Sequence, residues 1–145
     1  GIDTAPALAQ RSRRSGVRSE GTMETIASWK SHGGTQSVHR HASTACRCDM
    51  VFSVFTPPAA EVGPVPVLWY LSGLTCTHAN ATEKGEFRRA AAEAGVMVVC
   101  PDTSPRGTGV PDDDAYDFGQ GVGFYLDATE PPWADNFRME SYLLS

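Results

Sequence analysis

The sequence predicts an α/β domain built around a parallel pair of strands. Residues 65–71 and 96–100 are short apolar runs with the length of buried strands, and an amphipathic segment typical of a helix separates them. A strand, a helix and a second strand of this length form a βαβ unit. Such a unit implies parallel pairing and a right-handed crossover.

The composition is that of an ordinary globular protein. The 145 residues are 41% hydrophobic and 20% charged, close to the globular norm. The net charge of −5 argues against a general nucleic-acid binder, since such proteins need excess Lys and Arg. No apolar run approaches the roughly 20 residues that a membrane-spanning helix needs. We therefore expect no nucleic-acid partner and no membrane partner.

Cysteine usage predicts a reduced, cytoplasmic protein. No segment of the sequence has the pattern of a secretory signal, and the chain is large enough to fold without disulfide staples. Two of the cysteines lie too close in sequence for an unstrained bridge. The four are Cys46, Cys48, Cys76 and Cys100.

Residues 1–22 differ from the rest of the chain. They hold four Arg against two acidic residues, a net charge of 4 − 2 = +2, whereas residues 23–145 hold 8 basic against 15 acidic residues, a net of −7. A transit peptide would fit this composition, and so would sequence placed upstream of a start at Met23. We favour a non-native or disordered leader at 1–22, followed by a domain at 23–145.

Two short strands are predicted ahead of the βαβ unit. They span residues 37–43 and 49–55, and Met50, Phe52 and Val54 alternate on one face of the second. Pro and Gly residues then break the chain. Residues 65–71 are apolar on both faces, which predicts a central strand covered on two sides.

One helix is predicted between the two apolar strands. Asn80 is expected to be its N-cap, with Glu83 three residues later as in a capping box, and Gly95 is expected to end it. The apolar face follows the spacing of an amphipathic helix and consists of Phe87, Ala90, Ala91 and Ala94.

A long loop and a further helix are predicted next. Residues 102–136 are rich in Gly, Pro and Asp, and a loop of that length inside a compact domain is usually functional. A helix is expected to begin at Asn136 and to run to Leu144. Because a domain seldom ends inside such a helix, we expect the α/β domain to be truncated.

Two segments are expected at the edge of the sheet where ligands bind. Residues 71–77 and 101–107 each follow one of the two parallel strands, and open α/β sheets bind ligands beyond the carboxyl ends of their strands. Gly73 is expected to let the backbone turn and present amides to a ligand. This placement alone is common to many α/β folds.

Three blocks of sequence resemble the S-formylglutathione hydrolase (esterase D) family. They are Leu-Ser-Gly-Leu-Thr-Cys-Thr at 71–77, Pro-Asp-Thr-Ser-Pro-Arg-Gly at 101–107, and Tyr-Asp-Phe-Gly-Gln-Gly-Val-Gly-Phe-Tyr-Leu-Asp-Ala-Thr at 116–129. Pro-Trp at 132–133 and Asn-Phe-Arg-Met at 136–139 fit as well. The resemblance implies the amino-terminal portion of an α/β-hydrolase fold, truncated before the nucleophile elbow that carries the catalytic serine.

The resemblance also implies an oxyanion hole at Gly73 and Leu74, with the Leu74 backbone N–H as one of its two donors. No Gly-x-Ser-x-Gly occurs in the sequence, and the Ser, Asp and His of the triad are expected after Ser145. Ser72 is not expected to be a nucleophile, because Tyr70 and Leu74 stand where an elbow needs glycines. We therefore expect the 145-residue chain alone to have no esterase activity.

Four further residues are expected to line this site: Thr75, Cys76, Asp102 and Arg106. Cys76 is favoured as a packing residue over a catalytic one, although His78 is near enough in sequence to act as its base. For Asp102 and Arg106, an ion pair that braces the loop is slightly favoured over substrate contact. The same preference applies to Asp117 and Tyr125.

Other motifs are weak candidates for sites. Two His and two Cys on adjacent strands could hold zinc, although their spacing matches no common zinc module, and we expect no metal; they are His39, His41, Cys46 and Cys48. Residues 119–123 are interpreted as a flexible loop and not as a nucleotide-binding loop. Residues 112–114 are interpreted as a solvated acidic turn and not as a calcium loop.

By the resemblance, the whole enzyme would hydrolyse S-formylglutathione, a small-molecule thioester, to glutathione and formate in formaldehyde detoxification. The implied mechanism acylates a serine and then deacylates it with water, and it uses no cofactor. A homodimer of the full-length protein is left open. The alternatives are a related carboxylesterase with other acyl substrates and a non-catalytic truncated fragment.

Overall fold

A computed structural model describes residues 22–145 of the chain, and those residues build one mixed sheet. The strand order is β1-β2-β3-β5-β4. Strands β1, β2, β3 and β5 pair antiparallel in that order, and β4 pairs parallel with β5. The strands are β1 Glu24–Ser31, β2 Gly34–Ser43, β3 Cys48–Thr56, β4 Val67–Trp69 and β5 Met97–Pro101. The predicted parallel pair is thus confirmed.

The amino-terminal strands include one that the sequence did not predict. The predicted strands at 37–43 and 49–55 lie within β2 and β3, whereas β1 was missed. Every residue of β1 before Ser31 is exposed, so the strand has no apolar face to give a period-2 pattern. Its position is fixed instead by a two-residue hairpin turn at His32 and Gly33, both with positive φ, the geometry of a type I′ turn.

The prediction that residues 65–71 form a strand covered on both sides is wrong for the part of the chain described. Strand β4 is three residues long and lies at the edge of the sheet. Its Val67, Leu68 and Trp69 are 49%, 53% and 53% exposed. Within residues 22–145 only β5 pairs with β4, and the side chains on both faces of β4 are left exposed.

The single predicted helix is two helices, α1 His78–Lys84 and α2 Arg88–Ala94. The break comes at Gly85 and Glu86, and Glu86 has a φ of 48°, which a continuous helix excludes. Gly95 ends α2 with a left-handed φ of 67°, as predicted. The predicted apolar face is only partly right, because Phe87 and Ala91 pack on the sheet while Ala90 and Ala94 are exposed.

The N-cap prediction is wrong by three residues. Thr77 is the N-cap of α1, and its Oγ1 accepts a hydrogen bond from the Ala79 N–H at 3.1 Å. Asn80 is the third residue of the helix, and its Oδ1 accepts from the Thr77 N–H at 2.9 Å. The two side chains form a capping box, in which Asn80 has the role usually taken by Glu.

Replacing Thr77 by Ala is expected to destabilise the protein by about 1 kcal/mol, because the first turn of α1 then keeps an unsatisfied N–H. Urea denaturation of the 145-residue chain would measure the loss. Thr108→Ala is the control, since Thr108 is exposed and lies outside any helix. Equal midpoints for the two variants would contradict the capping role.

The carboxyl-terminal part contains the predicted long loop and the predicted helix. Residues 102–132 hold no helix or strand; a short 3₁₀ turn spans Trp133–Asp135, and α3 spans Met139–Leu144, three residues later than predicted. Met139 is 1% exposed and packs with Cys46 and Met50. Asp127 accepts hydrogen bonds from the N–H and the hydroxyl of Ser141 at 3.0 and 2.5 Å. These contacts attach the end of the long loop to α3.

The core lies on both sides of β3 and β5. Phe55, fully buried, packs with Val98, Cys100, Ala81 and Ala91 beneath α1 and α2. Within the described residues no helix is long and apolar enough to cross a membrane. The predicted leader at 1–22 falls almost wholly on residues 1–21, which lie outside the described residues.

Candidate functional site

The two predicted loops meet at the carboxyl edge of the parallel strands. Residues 71–77 follow β4, and residues 102–107 follow β5. The Cys76 carbonyl oxygen accepts a hydrogen bond from Thr103 Oγ1 at 2.5 Å and another from Arg106 Nη2 at 3.0 Å. The structure therefore brings the candidate residues of both loops together.

The first loop forms a tight turn from Gly73 to Cys76. The Cys76 N–H donates to the Gly73 carbonyl at 3.2 Å, and Thr75 has a φ of 64°. A positive φ at the third position is the mark of a type II turn. A β-branched residue there is strained, which is the kind of outlier that clusters at functional sites.

The expectation that Gly73 supplies the turn's conformational freedom is wrong. Thr75, not Gly73, has the left-handed φ. A Cβ added at Gly73 would meet nothing within 4 Å among the described residues. Gly73 instead leaves open space beside the turn.

The Leu74 amide borders this open space. It lies outside any helix, and the residue is 40% exposed. Among residues 22–145 it donates to no acceptor, whereas the N–H groups of Thr75 and Cys76, the next two residues of the turn, do so. An unpaired backbone N–H in the loop that follows a parallel strand is a donor suited to a developing negative charge.

Asp102 and Arg106 form the bracing pair that was favoured from the sequence. Arg106 Nε lies 3.0 and 3.1 Å from the two carboxylate oxygens, and Asp102 also accepts from the Thr103 N–H at 2.7 Å. The Asp102 side chain is 10% exposed and that of Arg106 34%. Arg106 Nη2 also donates a hydrogen bond to the Cys76 carbonyl. Arg106 therefore links the second loop to the turn.

Cys76 and His78 do not form a catalytic pair. Cys76 is half-buried, and the buried Nδ1 of His78 has no hydrogen-bond partner among the described residues. Burial lowers the pKa of His78, with Asp102 opposing that effect. Because no hydrogen bond joins the His78 ring to the Cys76 thiol among the described residues, His78 is not placed to act as a base for Cys76, and the half-buried Cys76 fits the packing role.

Residues 119–123 form a loop, as predicted, and hydrogen bonds attach its backbone to both neighbouring loops. The Gly121 carbonyl accepts from the Thr75 N–H at 2.8 Å, and the Gly121 N–H donates to Ser104 Oγ at 2.6 Å. The Tyr125 hydroxyl, two residues beyond the segment, donates to the Ser72 carbonyl at 2.6 Å. Alternating glycines at 119, 121 and 123 were the available signal, because close backbone approach requires residues without a Cβ.

The remaining candidates lie away from this site. His39 and His41 both contact Phe52, while Cys46 belongs to the buried cluster with Met50. In the described part of the chain no group of three or more His, Cys, Asp or Glu side chains could hold a metal ion. Residues 112–114 and Asp117 are exposed; Asp112 accepts from the N–H groups of Asp113 and Gln120.

Known proteins resemble the chain along most of its length. The model of a family described as "Putative esterase" matches residues 43–145. An S-formylglutathione hydrolase of Paracoccus denitrificans is 57% identical over 120 residues, and one of Mus musculus is 48% identical over 122 residues. Each match covers 83% of this chain and 43% of the relative.

A solved structure of an S-formylglutathione hydrolase from Agrobacterium tumefaciens superposes with a TM-score of 0.81 at 54% identity. The match covers 82% of this chain and 43% of that one. The fold is therefore that of an α/β-hydrolase, as predicted. The chain spans less than half the length of these relatives.

Proposed function

We propose that this chain, which belongs to the Esterase family, forms the amino-terminal part of a serine thioesterase that hydrolyses S-formylglutathione to glutathione and formate. The names of the relatives from Paracoccus and mouse support the substrate. The observation that carries the proposal is the unbonded Leu74 amide at the carboxyl edge of β4.

In the proposed reaction a serine Oγ attacks the thioester carbonyl, and the carbonyl oxygen becomes an oxyanion. The Leu74 N–H donates to that oxygen, and a second N–H comes from the residue after the serine. The C–S bond then breaks, the thiol leaves with a proton supplied by a histidine, and water releases formate from the formyl-serine. No Gly-x-Ser-x-Gly elbow is present among the 145 residues.

Ser72 is unsuited to be the nucleophile. It is 6% exposed, and its carbonyl is held by Tyr125. The proposed contribution of these 145 residues is thus one oxyanion donor and the loops that hold it, while the serine and its base come from sequence that corresponds to the remaining part of the relatives.

A cytoplasmic setting is proposed alongside the substrate. All four cysteines are free, and Cys46 and Cys100 are buried. Burial raises the pKa of Cys46 to about 11, which keeps it an unreactive thiol. Reduced, buried thiols support a compartment that maintains glutathione in its reduced form.

A chimera tests the proposed function. The segment of the Paracoccus denitrificans enzyme that aligns with this chain is replaced by the corresponding residues of this chain, and thioester cleavage is followed by ultraviolet absorbance. We expect the chimera to hydrolyse S-formylglutathione and the 145-residue chain alone to show no burst with p-nitrophenyl acetate. A folded chimera that cleaves simple esters faster than S-formylglutathione would favour the carboxylesterase alternative, and a folded, inactive one would refute the proposal.

A further inference from the structure

Residues 121–125 run alongside residues 72–75 in the opposite direction and touch them at alternate positions. The Gly121 carbonyl bonds the Thr75 N–H, the Gly123 backbone lies against the Gly73–Leu74 peptide, and the Tyr125 hydroxyl bonds the Ser72 carbonyl. Residues 121–125 therefore contact the chain both before and after Leu74, at Ser72, at Gly73 and at Thr75. We call residues 121–125 the bracing segment.

The first contact is anchored in the protein interior. Gly121 is buried, and its N–H donates to Oγ of Ser104, which is 1% exposed. A Cβ added at Gly121 would lie 3.3 Å from two nitrogens of the Arg106 guanidinium. The glycine therefore fits between the second loop and the turn, so that its carbonyl can fix the strained Thr75.

The second contact depends on a glycine for a steric reason. A Cβ added at Gly123 would lie 2.9 Å from the Gly73 carbonyl carbon and 3.0 Å from the Leu74 nitrogen, and Gly123 has a φ of 73°. Both facts exclude a side chain at this position without movement of the neighbouring backbone. The atom that would be displaced carries the Leu74 N–H.

The third contact is a hydrogen bond from a side chain that is itself fixed. The Tyr125 ring packs against the buried cluster of Cys46, Met50 and Met139, and its hydroxyl donates to the Ser72 carbonyl at 2.6 Å. Burial raises the pKa of Tyr125 to about 12. The hydroxyl thus remains protonated, and therefore a donor, at neutral pH.

We propose that Tyr125 is a positioning residue, which acts through the Ser72 carbonyl and the bracing segment to hold the Leu74 amide toward the oxyanion. The catalytic consequence rests on the proposed function, whereas the positioning itself is a property of the 145-residue chain. This positioning role also explains the alternating glycines, because only residues without a Cβ let the backbone of the bracing segment lie this close to Arg106 and to the Gly73–Leu74 peptide.

Amide hydrogen exchange in the 145-residue chain tests the positioning without reference to catalysis. In Tyr125→Phe we expect the Thr75 amide to exchange about three- to tenfold faster, since one hydrogen bond is worth a factor of that order, while the amides of β3 are unchanged. Tyr116→Phe is the matched control, because Tyr116 is 76% exposed in the same loop. Unchanged Thr75 exchange in Tyr125→Phe would overturn the proposal.

Kinetics of the chimera test the catalytic consequence. Tyr125→Phe should lower kcat about three- to tenfold with little change in KM, and Gly123→Ala about tenfold or more. In a Leu74→Pro background the Tyr125→Phe effect on kcat should vanish, because the amide it positions is gone. A full effect in that background would overturn the proposal.

An inactive parent chimera with faster Thr75 exchange in Tyr125→Phe would refute the proposed function and leave the positioning supported.

Discussion

Leu74→Pro in the chimera is expected to lower kcat on S-formylglutathione by about 10²- to 10³-fold, or about 2.7–4 kcal/mol of transition-state stabilisation, the effect of losing one oxyanion donor. Proline has no N–H, and it is favoured at the second position of a type II turn, where Leu74 lies. The substitution therefore removes the donor while it preserves the backbone path.

Leu74→Ala is the matched control for this prediction. It removes the same side chain and keeps the N–H, so we expect kcat to stay within a few-fold of the parent chimera. Thermal melting of both variants would verify that the fold is intact. Equal losses of kcat in the two variants would mean that the side chain matters and the amide does not.

Arg106→Met is expected to lower the free energy of unfolding by about 1–2 kcal/mol, which is the contribution of a hydrogen bond to a charged group, about 1.5–3 kcal/mol, reduced because Arg106 is partly exposed. Methionine keeps much of the apolar stem but leaves the Asp102 carboxylate, 10% exposed, without its cation. The bond to the Cys76 carbonyl is lost as well. Urea denaturation of the 145-residue chain would measure the change.

Arg89→Met provides the comparison for this ion pair. Arg89 and Glu93 are also four residues apart, with Nε and Oε1 2.9 Å apart, but their side chains are 77% and 66% exposed. Exposed pairs of this kind contribute about 0.3–0.5 kcal/mol. Equal losses of unfolding free energy in Arg106→Met and Arg89→Met would contradict the role of Arg106 in stabilising the second loop.

The parts of the fold that the sequence predicted well are those with strong local patterns. The alternation in residues 49–55 and the apolar run at 96–100 mark β3 and β5, which lie at the centre of the sheet. Strand β1 has no such pattern because it is exposed along nearly its whole length. The break between α1 and α2 was missed because Gly85 and Glu86 lie inside a periodic segment, where one glycine is often tolerated.

The candidate site was predictable in position but not in its internal contacts. The rule for ligands at the carboxyl ends of parallel strands placed residues 71–77 and 101–107 correctly at one edge. The contacts of Thr75 with Gly121 and of Ser72 with Tyr125 join segments about 50 residues apart in sequence. No local pattern encodes such pairs. The glycines of the bracing segment were visible, but their steric reason appears only when the opposing backbone is in place.

The central claim is that the Leu74 N–H faces the oxyanion, and a crystal structure of the chimera with its serine phosphonylated by a thioester mimic would test it most directly. We predict that a phosphoryl oxygen lies about 2.7–3.1 Å from the Leu74 nitrogen, the distance of an oxyanion-hole donor. A phosphoryl oxygen beyond hydrogen-bond reach, or a Leu74 N–H that donates to another protein group, would contradict the claim.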